Sequence, residues 1–349
     1  STSLYPQALI PLISIIFLIK WHGHSGIISI IYGLTWGAII SFFLISFKTY
    51  QKNFFSLKHK KFNFQILKTG TDFHQFLYLF FALMFPNFVS FVDKQVATYL
   101  GAGKLSALSY GQSIPNALSS MMTYSLGIAV FSYFSEWVVK KQINKLIDAV
   151  RRAINFLVML IIPFCYYIFL SSRDIIGFLF ERGEFTTGET SLVSPILQYY
   201  IFLIFFQAAV IIAARVISAI HKNKFFVVLY PSIFIIKLLF TAILIQYFDI
   251  LGLPLSTLSM YIVYFVWIYW YLHHQKIQIF NTRYSFALIK NILHLFILFI
   301  ILHKVYNFID SLNLSYFYSL LYGAVLFIII YSSLLAILYK SGAIQKSSI

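Results

Sequence analysis

Apolar runs of about 20 residues recur along the whole chain, and each is long enough to cross the roughly 30 Å hydrocarbon core of a bilayer as a helix. We predict ten such spans. They cover about residues 5–20, 26–47, 76–100, 107–134, 153–171, 191–220, 227–248, 250–272, 286–303 and 314–339. The runs are apolar on all sides rather than alternating, which favours helices over a β-barrel. The sequence therefore predicts an all-α polytopic membrane protein with about ten transmembrane helices.

The composition supports this interpretation. Hydrophobic residues make up 60% of the 349 positions and charged residues only 10%, whereas about a quarter of the residues are charged in an ordinary soluble domain. The single cysteine, Cys165, lies within a predicted span and excludes an internal disulfide.

Lysine and arginine are distributed unequally between alternate loops. One set of loops and the C-terminal segment carry 18 of them, and the other set carries five. The positive-inside rule then places both ends of the chain and the basic loops in the cytoplasm. The formal charge of +16 is thus a topology signal, and nucleic-acid binding is not expected.

Two basic segments mix lysines with apolar side chains. In residues 136–152, apolar positions recur at helical spacing while basic residues occupy the other face; they are Val139, Ile143, Leu146 and Val150. The pattern is typical of a helix lying on anionic headgroups, and a solvated connector is an equally good interpretation. Residues 48–68 are the longest interval between spans, which makes them the candidate linker between two bundles.

Two helix pairs of similar design lie about 225 residues apart. Pro6 precedes Gly26 by 20 residues, and Pro231 precedes Gly252 by 21. The match is either a chance event in apolar sequence or a sign of two related bundles, as in many secondary transporters. If the repeat is real, the second bundle has four spans before its pair and the first has none. That arrangement predicts four further helices upstream of Ser1.

Polar side chains form a stripe along the fourth span. They recur at intervals of three and four, which places them on one helix face. The stripe consists of Ser109, Gln112, Ser113, Asn116, Ser119 or Ser120, and Thr123. It forms either the wall of a water-filled cavity or a set of interhelical hydrogen bonds.

Charged residues inside the spans are costly in hydrocarbon and should find partners. Asp93 and Lys94 point about 100° apart on a helix, so Asp93 needs a partner on another helix. Lys237, near the middle of the seventh span, should face the interior and meet Asp93 or an anionic substrate. Arg215 lies close enough to the inner end of its span to snorkel. An ion pair or snorkelling lysine that only fixes helix packing is the alternative.

The sequence shows no catalytic or metal-binding motif. The histidines in residues 21–26, and His273 with His274, lack nearby carboxylates or thiols that would complete a metal site. A Walker loop, a Gly-x-Ser-x-Gly elbow and a His-Glu-x-x-His sequence are missing from the chain. We therefore predict a protein that is not an enzyme, has no catalytic residue and no cofactor, and does not pump by ATP hydrolysis alone.

Several segments carry a family resemblance. They are SALSYGQS at 106–113, LGIAVFSYFS ending at Ser135, LFERGEF at 179–185, RVISAIHKNK at 215–224, VDKQVATYLGAGKLSAL, and GLPLSTLSMYIVYF at 252–265. These segments resemble the lipid II flippase family (MurJ/MviN) of the multidrug, oligosaccharidyl-lipid and polysaccharide exporter superfamily. The resemblance implies a fold of fourteen helices, with two six-helix lobes and two extra C-terminal helices.

In that fold the chain corresponds to helices five to fourteen. The implied division is residues 1–47 for the last two helices of the N-terminal lobe, 48–75 for the inter-lobe linker, 76–273 for the C-terminal lobe and 274–349 for the two additional helices. The implied activity is alternating-access flipping of lipid II, an undecaprenyl-diphosphate-linked peptidoglycan precursor, across the bacterial inner membrane. Cationic side chains in a central cavity would hold the diphosphate.

The residues and the resemblance together select the candidate site. The substrate or cavity residues are Asp93, Lys94, Gln112, Ser113, Asn116, Arg215 and Lys237, and the loop motif consists of Phe180, Glu181, Arg182, Gly183 and Phe185. Ser113 stands where the family normally has an arginine, whereas Arg215 falls on a position that is usually basic in the family. Expected partners are a lipid-linked diphosphate glycan and membrane lipids, with any coupling ion left open.

Other functions fit the same residues. Within transport, the alternatives are an O-antigen-type oligosaccharide-lipid flippase and a cation-coupled exporter of the same fold. A membrane glycosyltransferase or ligase would need an outer carboxylate cluster, for which Glu181, Glu184 and Glu189 are candidates. A scaffold subunit of a cell-wall complex, or a nonfunctional remnant, is a third possibility.

Overall fold

A computed structural model describes residues 36, 39, 40, 43, 70–312 and 314–340 of the chain. The first two predicted spans, the histidines of residues 21–26 and nearly all of the proposed linker lie outside the described residues. The chain divides into two compact units, residues 1–72 and 73–349. The described residues of the first unit include Trp36, Ile39, Ile40 and Phe43, all of them helical with exposed side chains.

Helices make up almost all of the described part of the second unit. In chain order they are α1 (Gly70–Tyr99), α2 (Lys104–Val139), α3 (Ile143–Phe156), α4 (Ile162–Leu170), α5 (Ser172–Phe180), α6 (Thr187–Ile201), α7 (Leu203–Ala219), α8 (Lys224–Phe248), α9 (Gly252–His274), α10 (Thr282–Ser311) and α11 (Tyr316–Lys340). A π-helical turn, Leu157–Ile161, joins α3 to α4, and a 3-10 turn, Asp249–Leu251, joins α8 to α9. No strand occurs among the described residues, so the predicted all-α class is confirmed.

Five described stretches are long and apolar enough to cross a membrane. They are Ile143–Leu170, Thr187–Ala219, Lys224–His274, Tyr284–Ser311 and Tyr316–Ala336. The third of these stretches holds two predicted spans, because only the short 3-10 turn separates α8 from α9. The predicted spans from the fifth to the tenth therefore coincide with these stretches.

The fifth predicted span differs from the observed helix in its start and contains a backbone irregularity next to a proline. The fifth span was predicted from residue 153, but the helix begins at Ile143 and continues through the π-helical turn. In a regular α-helix the N–H of residue 163 would donate to the carbonyl of Met159, but Pro163 has no N–H. The hydroxyl of Tyr331 donates to that carbonyl instead, so the backbone irregularity is stabilised by a side chain from α11.

Two further departures have no signal in the apolar pattern. The predicted sixth span is interrupted at Phe202, where α6 ends and α7 begins, although neither Gly nor Pro stands at the break. After α4, the chain forms the nine-residue helix α5, which is too short to be recognised as a span.

One of the two interpretations of segment 136–152 was a single helix lying on anionic headgroups. The structure divides this segment between two helices. α2 extends to Val139, and the following turn places Lys141 at a φ of 56° before α3 begins. Leu146 and Val150 are fully buried, whereas Val139 is 78% exposed. The apolar face of α3 therefore packs against the protein, and the headgroup interpretation is wrong for this face.

The core of the second unit lies among α2, α6, α7 and α9. α2 packs along α6 and α7, and α9 packs on α7 and α8. The approach of α2 to α6 requires a glycine, because a Cβ added at Gly111 would lie 2.6 Å from the Cγ2 of Ile196. This packing places the polar stripe of α2 beside the buried charges of α1 and α8.

The C-terminal helices α10 and α11, with the segment before them, are hydrogen-bonded to the segment from α3 to α5 at several positions along its length. In chain order from α3, the hydrogen bonds are Arg151 Nε to Ile279 O at 2.8 Å, Tyr331 OH to Met159 O, Tyr167 OH to Leu320 O at 3.0 Å, and Tyr306 OH to Asp174 Oδ2 at 2.8 Å. Their acceptors and donors on the α3 to α5 segment recur every seven or eight residues. The attachment is therefore spread along the length of the segment.

Candidate functional site

Asp93 and Lys237 form a buried ion pair between α1 and α8. Asp93 Oδ1 lies 2.8 Å from Lys237 Nζ, and the two side chains are 3% and 0% exposed. Lys237 was expected to meet either Asp93 or an anionic substrate, and in the structure it contacts Asp93. The prediction that Asp93 pairs with another helix is confirmed.

The ammonium group of Lys237 is surrounded by oxygen atoms from the start of α9. It donates to Ser256 Oγ at 2.6 Å, to Thr257 Oγ1 at 2.7 Å and to Leu253 O at 3.3 Å. The same carbonyl of Leu253 also accepts a hydrogen bond from Ser256 Oγ and lies 2.9 Å from Thr257 Oγ1. A lysine ammonium has three protons, so these three neutral oxygens satisfy all of them even without Asp93.

The second carboxylate oxygen of Asp93 binds two further helices. Asp93 Oδ2 accepts from Tyr200 OH at 3.1 Å and from Thr257 Oγ1 at 3.3 Å. One carboxylate on α1 therefore contacts α6, α8 and α9. Taking such a pair out of water costs several kcal/mol per ion, which the ion pair and its hydrogen bonds must offset.

A polar cavity of about 160 Å³ lies beside Asp93. The polar part of its lining includes Asp93, Gln112, Asn116, Ser119, Tyr200 and Gln207. Three of these residues belong to the stripe on α2. Gln207 Oε1 is buried with no hydrogen-bond partner among the described residues. A polar cavity of this size can hold water.

The exposed serines of the stripe do not join helices. Ser109, Ser113 and Ser120 donate to backbone carbonyls of their own helix. Together with the cavity, this arrangement favours the cavity-wall interpretation over interhelical hydrogen bonding. The side chain of Thr123 lies outside the described part of the chain.

The remaining predicted cavity residues lie elsewhere. Lys94 and Ser113 are exposed on α1 and α2, and neither lines the cavity. Arg215 is half-buried near the C-terminal end of α7 and is also absent from the lining. The structure thus brings together Asp93 and Lys237 with part of the stripe. Lys94, Ser113 and Arg215 lie apart from this group.

The loop motif is a packing element between α5 and α6. The rings of Phe180 and Phe185 lie 5.0 and 5.2 Å from that of Tyr110 on α2. Gly183 has a φ of 61°, which favours glycine. Arg182 donates to the carbonyl of Leu179 within the same turn. The motif therefore covers one end of α2.

Two of the three candidate carboxylates near the motif, Glu181 and Glu189, make structural contacts. Glu181 Oε2 accepts from Thr190 Oγ1 at 2.9 Å and from Tyr316 OH at 3.0 Å. Glu189 forms a capping box with Thr186 at the start of α6. In the described part of the chain, no group of three or more His, Cys, Asp or Glu side chains could hold a metal ion.

Sequence analysis missed four groups of the site: Tyr200, the carbonyl of Leu253, Ser256 and Thr257. Serine and threonine are common in membrane helices, and two adjacent tyrosines in an apolar run give no periodic signal. The only sequence hint was the polar pair inside LPLSTLS, which follows the break between α8 and α9.

Comparisons with known proteins give one consistent result. The family model described as lipid II flippase MurJ matches residues 9–330. A probable lipid II flippase MurJ of Helicobacter pylori strain J99 is 24% identical over 162 residues, which cover 45% of this chain and 34% of the relative. Another from Rhizobium tropici is 29% identical over 98 residues, covering 28% of this chain and 18% of the relative. The chain thus matches about a third or less of the length of these relatives.

A solved structure has the same fold. It is described as lipid II flippase MurJ in an inward closed conformation, and it matches with a TM-score of 0.69 at 23% identity. The match covers 97% of this chain and 68% of that chain. The helical architecture of this chain is therefore that of a large part of the solved structure.

Proposed function

The chain belongs to the lipid II flippase MurJ family, and from this premise we propose that it moves lipid II across the bacterial inner membrane by alternating access. The observation that carries the proposal is the family match over residues 9–330. The similar fold of the solved flippase supports it. So do the membrane-length helices of the described region.

We assign the parts of the chain as follows. Residues 76–273 are the C-terminal lobe, residues 274–349 the two additional helices, and residues 1–47 with the linker 48–75 belong to the N-terminal side of the fold. The basic loops and both ends of the chain face the cytoplasm, because they carry most of the lysine and arginine.

We propose that the exposed faces of α1 and α2 contribute to the substrate path. Lys94 on α1 and Ser113 and Asn116 on α2 are exposed. A diphosphate needs cations and hydrogen-bond donors, which a lysine, a hydroxyl and an amide group supply. Asp93 and Lys237 neutralise each other, so we assign them to fixing α1 rather than to binding the anion.

Complementation tests this function. The full-length protein is expressed in bacteria depleted of their own lipid II flippase, and lipid II in the outer leaflet is assayed. We expect rescue, and we expect Lys94→Leu to lower it. Lys222→Leu, at an exposed position in the α7–α8 turn, is the matched control and should rescue normally.

Two outcomes would contradict the proposal. Normal lipid II synthesis without rescue, with the protein present in the membrane, would indicate a different lipid-linked glycan. A requirement for a donor nucleotide, or a bond-forming product, would favour the glycosyltransferase or ligase alternative.

A further inference from the structure

Another polar cavity, of about 470 Å³, lies between the start of α3 and the segment that joins α9 to α10. Six of its seven lining residues are polar or charged: Asn144, Asp148, Arg151, Lys276, Gln278 and Asn281. These residues do not line the cavity beside Asp93. Ligand pockets have volumes of roughly 300–1,000 Å³, so this cavity is large enough to hold a small polar group.

Arg151 holds the wall of this cavity that comes from the segment between α9 and α10. Its Nε donates to Ile279 O at 2.8 Å and its Nη2 to Gln278 O at 2.9 Å. The guanidinium carbon lies 5.3 Å from the centre of the Tyr284 ring, and Tyr284 OH donates to Arg151 O at 2.9 Å. These contacts fix the two walls relative to each other, so a ligand meets donors that are already in place.

The lining has donors that its own hydrogen bonds do not use. Asn281 Oδ1 accepts from Tyr284 N at 2.9 Å, which leaves the NH₂ group of the amide to donate. Lys276 is exposed and forms no ion pair with the described residues. Arg151 Nη1 lies 3.6 Å from Asp148 Oδ1, which is too far for a hydrogen bond. An ammonium, a guanidinium and an amide group therefore share one cavity.

The charges of the lining favour an anion. Arg151 and Lys276 are positive and Asp148 is negative, which leaves one positive charge in excess. Asp148 is 57% exposed, and an exposed pair of this kind contributes little to stability, so an anion can replace the carboxylate beside Arg151. Lys145 and Arg152 on the same helix are exposed and add to the positive field. A phosphate group fits this donor set, because its oxygens accept from guanidinium and ammonium groups at once.

The cavity lies at the level of lipid headgroups. Its residues come from the beginning of the membrane-length stretch Ile143–Leu170 and from the segment between the stretches Lys224–His274 and Tyr284–Ser311. The ends of three such stretches therefore meet at the cavity, and the proposed orientation places them on the cytoplasmic side. Basic pockets between helices on that side are suited to anionic headgroups.

We propose that this cavity is a binding site for a phosphate group, held by Arg151, Lys276 and Asn281. An anionic phospholipid of the cytoplasmic leaflet and a soluble phosphate share this chemistry, and the position of the cavity favours the lipid. Binding forms hydrogen bonds and ion pairs without a covalent step. The bound phosphate would join the start of α3 to the segment before α10, because the two walls would contact the same group.

Native mass spectrometry of the purified full-length protein tests the site. Dioleoylphosphatidylglycerol is titrated into the detergent solution, and the bound fraction gives a dissociation constant for each variant. Lys276→Gln removes one charge from the cavity. Asn281→Asp keeps the acceptor for Tyr284 N but replaces the NH₂ donor by a carboxylate oxygen. Asp148→Asn removes the competing carboxylate. Lys145→Gln, at an exposed position of α3 outside the cavity, is the matched control.

We expect Lys276→Gln and Asn281→Asp each to raise the dissociation constant about tenfold, the factor that corresponds to about 1.4 kcal/mol. Lys145→Gln should leave it nearly unchanged. Asp148→Asn should lower it, because a carboxylate no longer competes with the phosphate for Arg151. This gain also covers the case in which a weakened variant is misfolded, since a misfolded protein does not bind more tightly.

Inorganic phosphate added in excess distinguishes the two sources of the group. A headgroup site keeps its lipid, because the acyl chains add to the affinity. A site for soluble phosphate loses the lipid to the competitor, and the loss should be smaller in Lys276→Gln.

Two results would overturn the proposal. One is a dissociation constant that is the same in wild type, Lys276→Gln and Asn281→Asp. The other is an equal weakening in Lys145→Gln and Lys276→Gln, which would indicate a diffuse surface potential instead of a site. Because lipid II does not enter the measurement, its failure is distinct from a failure of the flippase proposal.

Discussion

Replacing Lys237 by methionine should destabilise the protein far more than removing a surface lysine does. The change keeps most of the side-chain volume and deletes the charge that faces Asp93. Asp93 is only 3% exposed, so its carboxylate loses its counter-charge without reaching bulk solvent. Breaking one side of a buried pair costs about 3–5 kcal/mol.

The pair between Lys104 and Asp249 provides the comparison. These side chains are 23% and 55% exposed, and an exposed pair contributes about 1 kcal/mol or less. The free energy of unfolding is measured by denaturant titration in mixed micelles, with tryptophan fluorescence as the signal. The double variant Asp93→Asn with Lys237→Met should lose less than Lys237→Met alone, because no unpaired charge remains.

The reasoning would be refuted if Lys237→Met and Lys104→Met lowered the free energy of unfolding by the same amount. It would also fail if the double variant lost as much as the sum of its two single changes. Either result would mean that the side chains at α1 and α8 are solvated or do not interact.

Three other changes test the packing. Gly252→Ala should lower the free energy of unfolding by about 1–3 kcal/mol, because the added Cβ would lie 2.7 Å from the backbone of Leu244. Gly188→Ala is the control: its added Cβ would have its nearest neighbouring atom 3.5 Å away, so the melting temperature in detergent should stay nearly unchanged. Tyr331→Phe should cost about 1–3 kcal/mol by leaving a part-buried carbonyl without its donor, and hydrogen exchange should rise at the π-helical turn. Thr186→Ala should remove about 0.5–2 kcal/mol of helix-cap stabilisation, seen as faster exchange in the first turn of α6 and unaltered exchange in α9.

The helical class and the main pairing could be predicted because each follows from a strong energetic penalty. Exposed backbone and unpaired charge are both costly in hydrocarbon, so long apolar runs must be helices and Asp93 must find a cation. Lys237 is the cation that the structure supplies. The neutral partners Tyr200, Ser256 and Thr257 could not be predicted, since nothing in the spacing of a hydroxyl tells which charge it solvates.

The irregular features depend on residues that are far apart in the chain. Pro163 removes one backbone donor, but the fate of the Met159 carbonyl depends on Tyr331, which lies 172 positions away. The amphipathic pattern of α3 is the same whether its apolar face meets lipid or protein. Only the position of α3 in the fold buries Leu146.

The attachment of the C-terminal helices has a mechanical consequence. Hydrogen bonds at a single height would leave α10 and α11 free to pivot about that height. The bonds run instead from Arg151 to Asp174, and their partners lie on both α10 and α11 as well as in the segment before them. We therefore expect α10 and α11 to follow α3, α4 and α5 when these helices move.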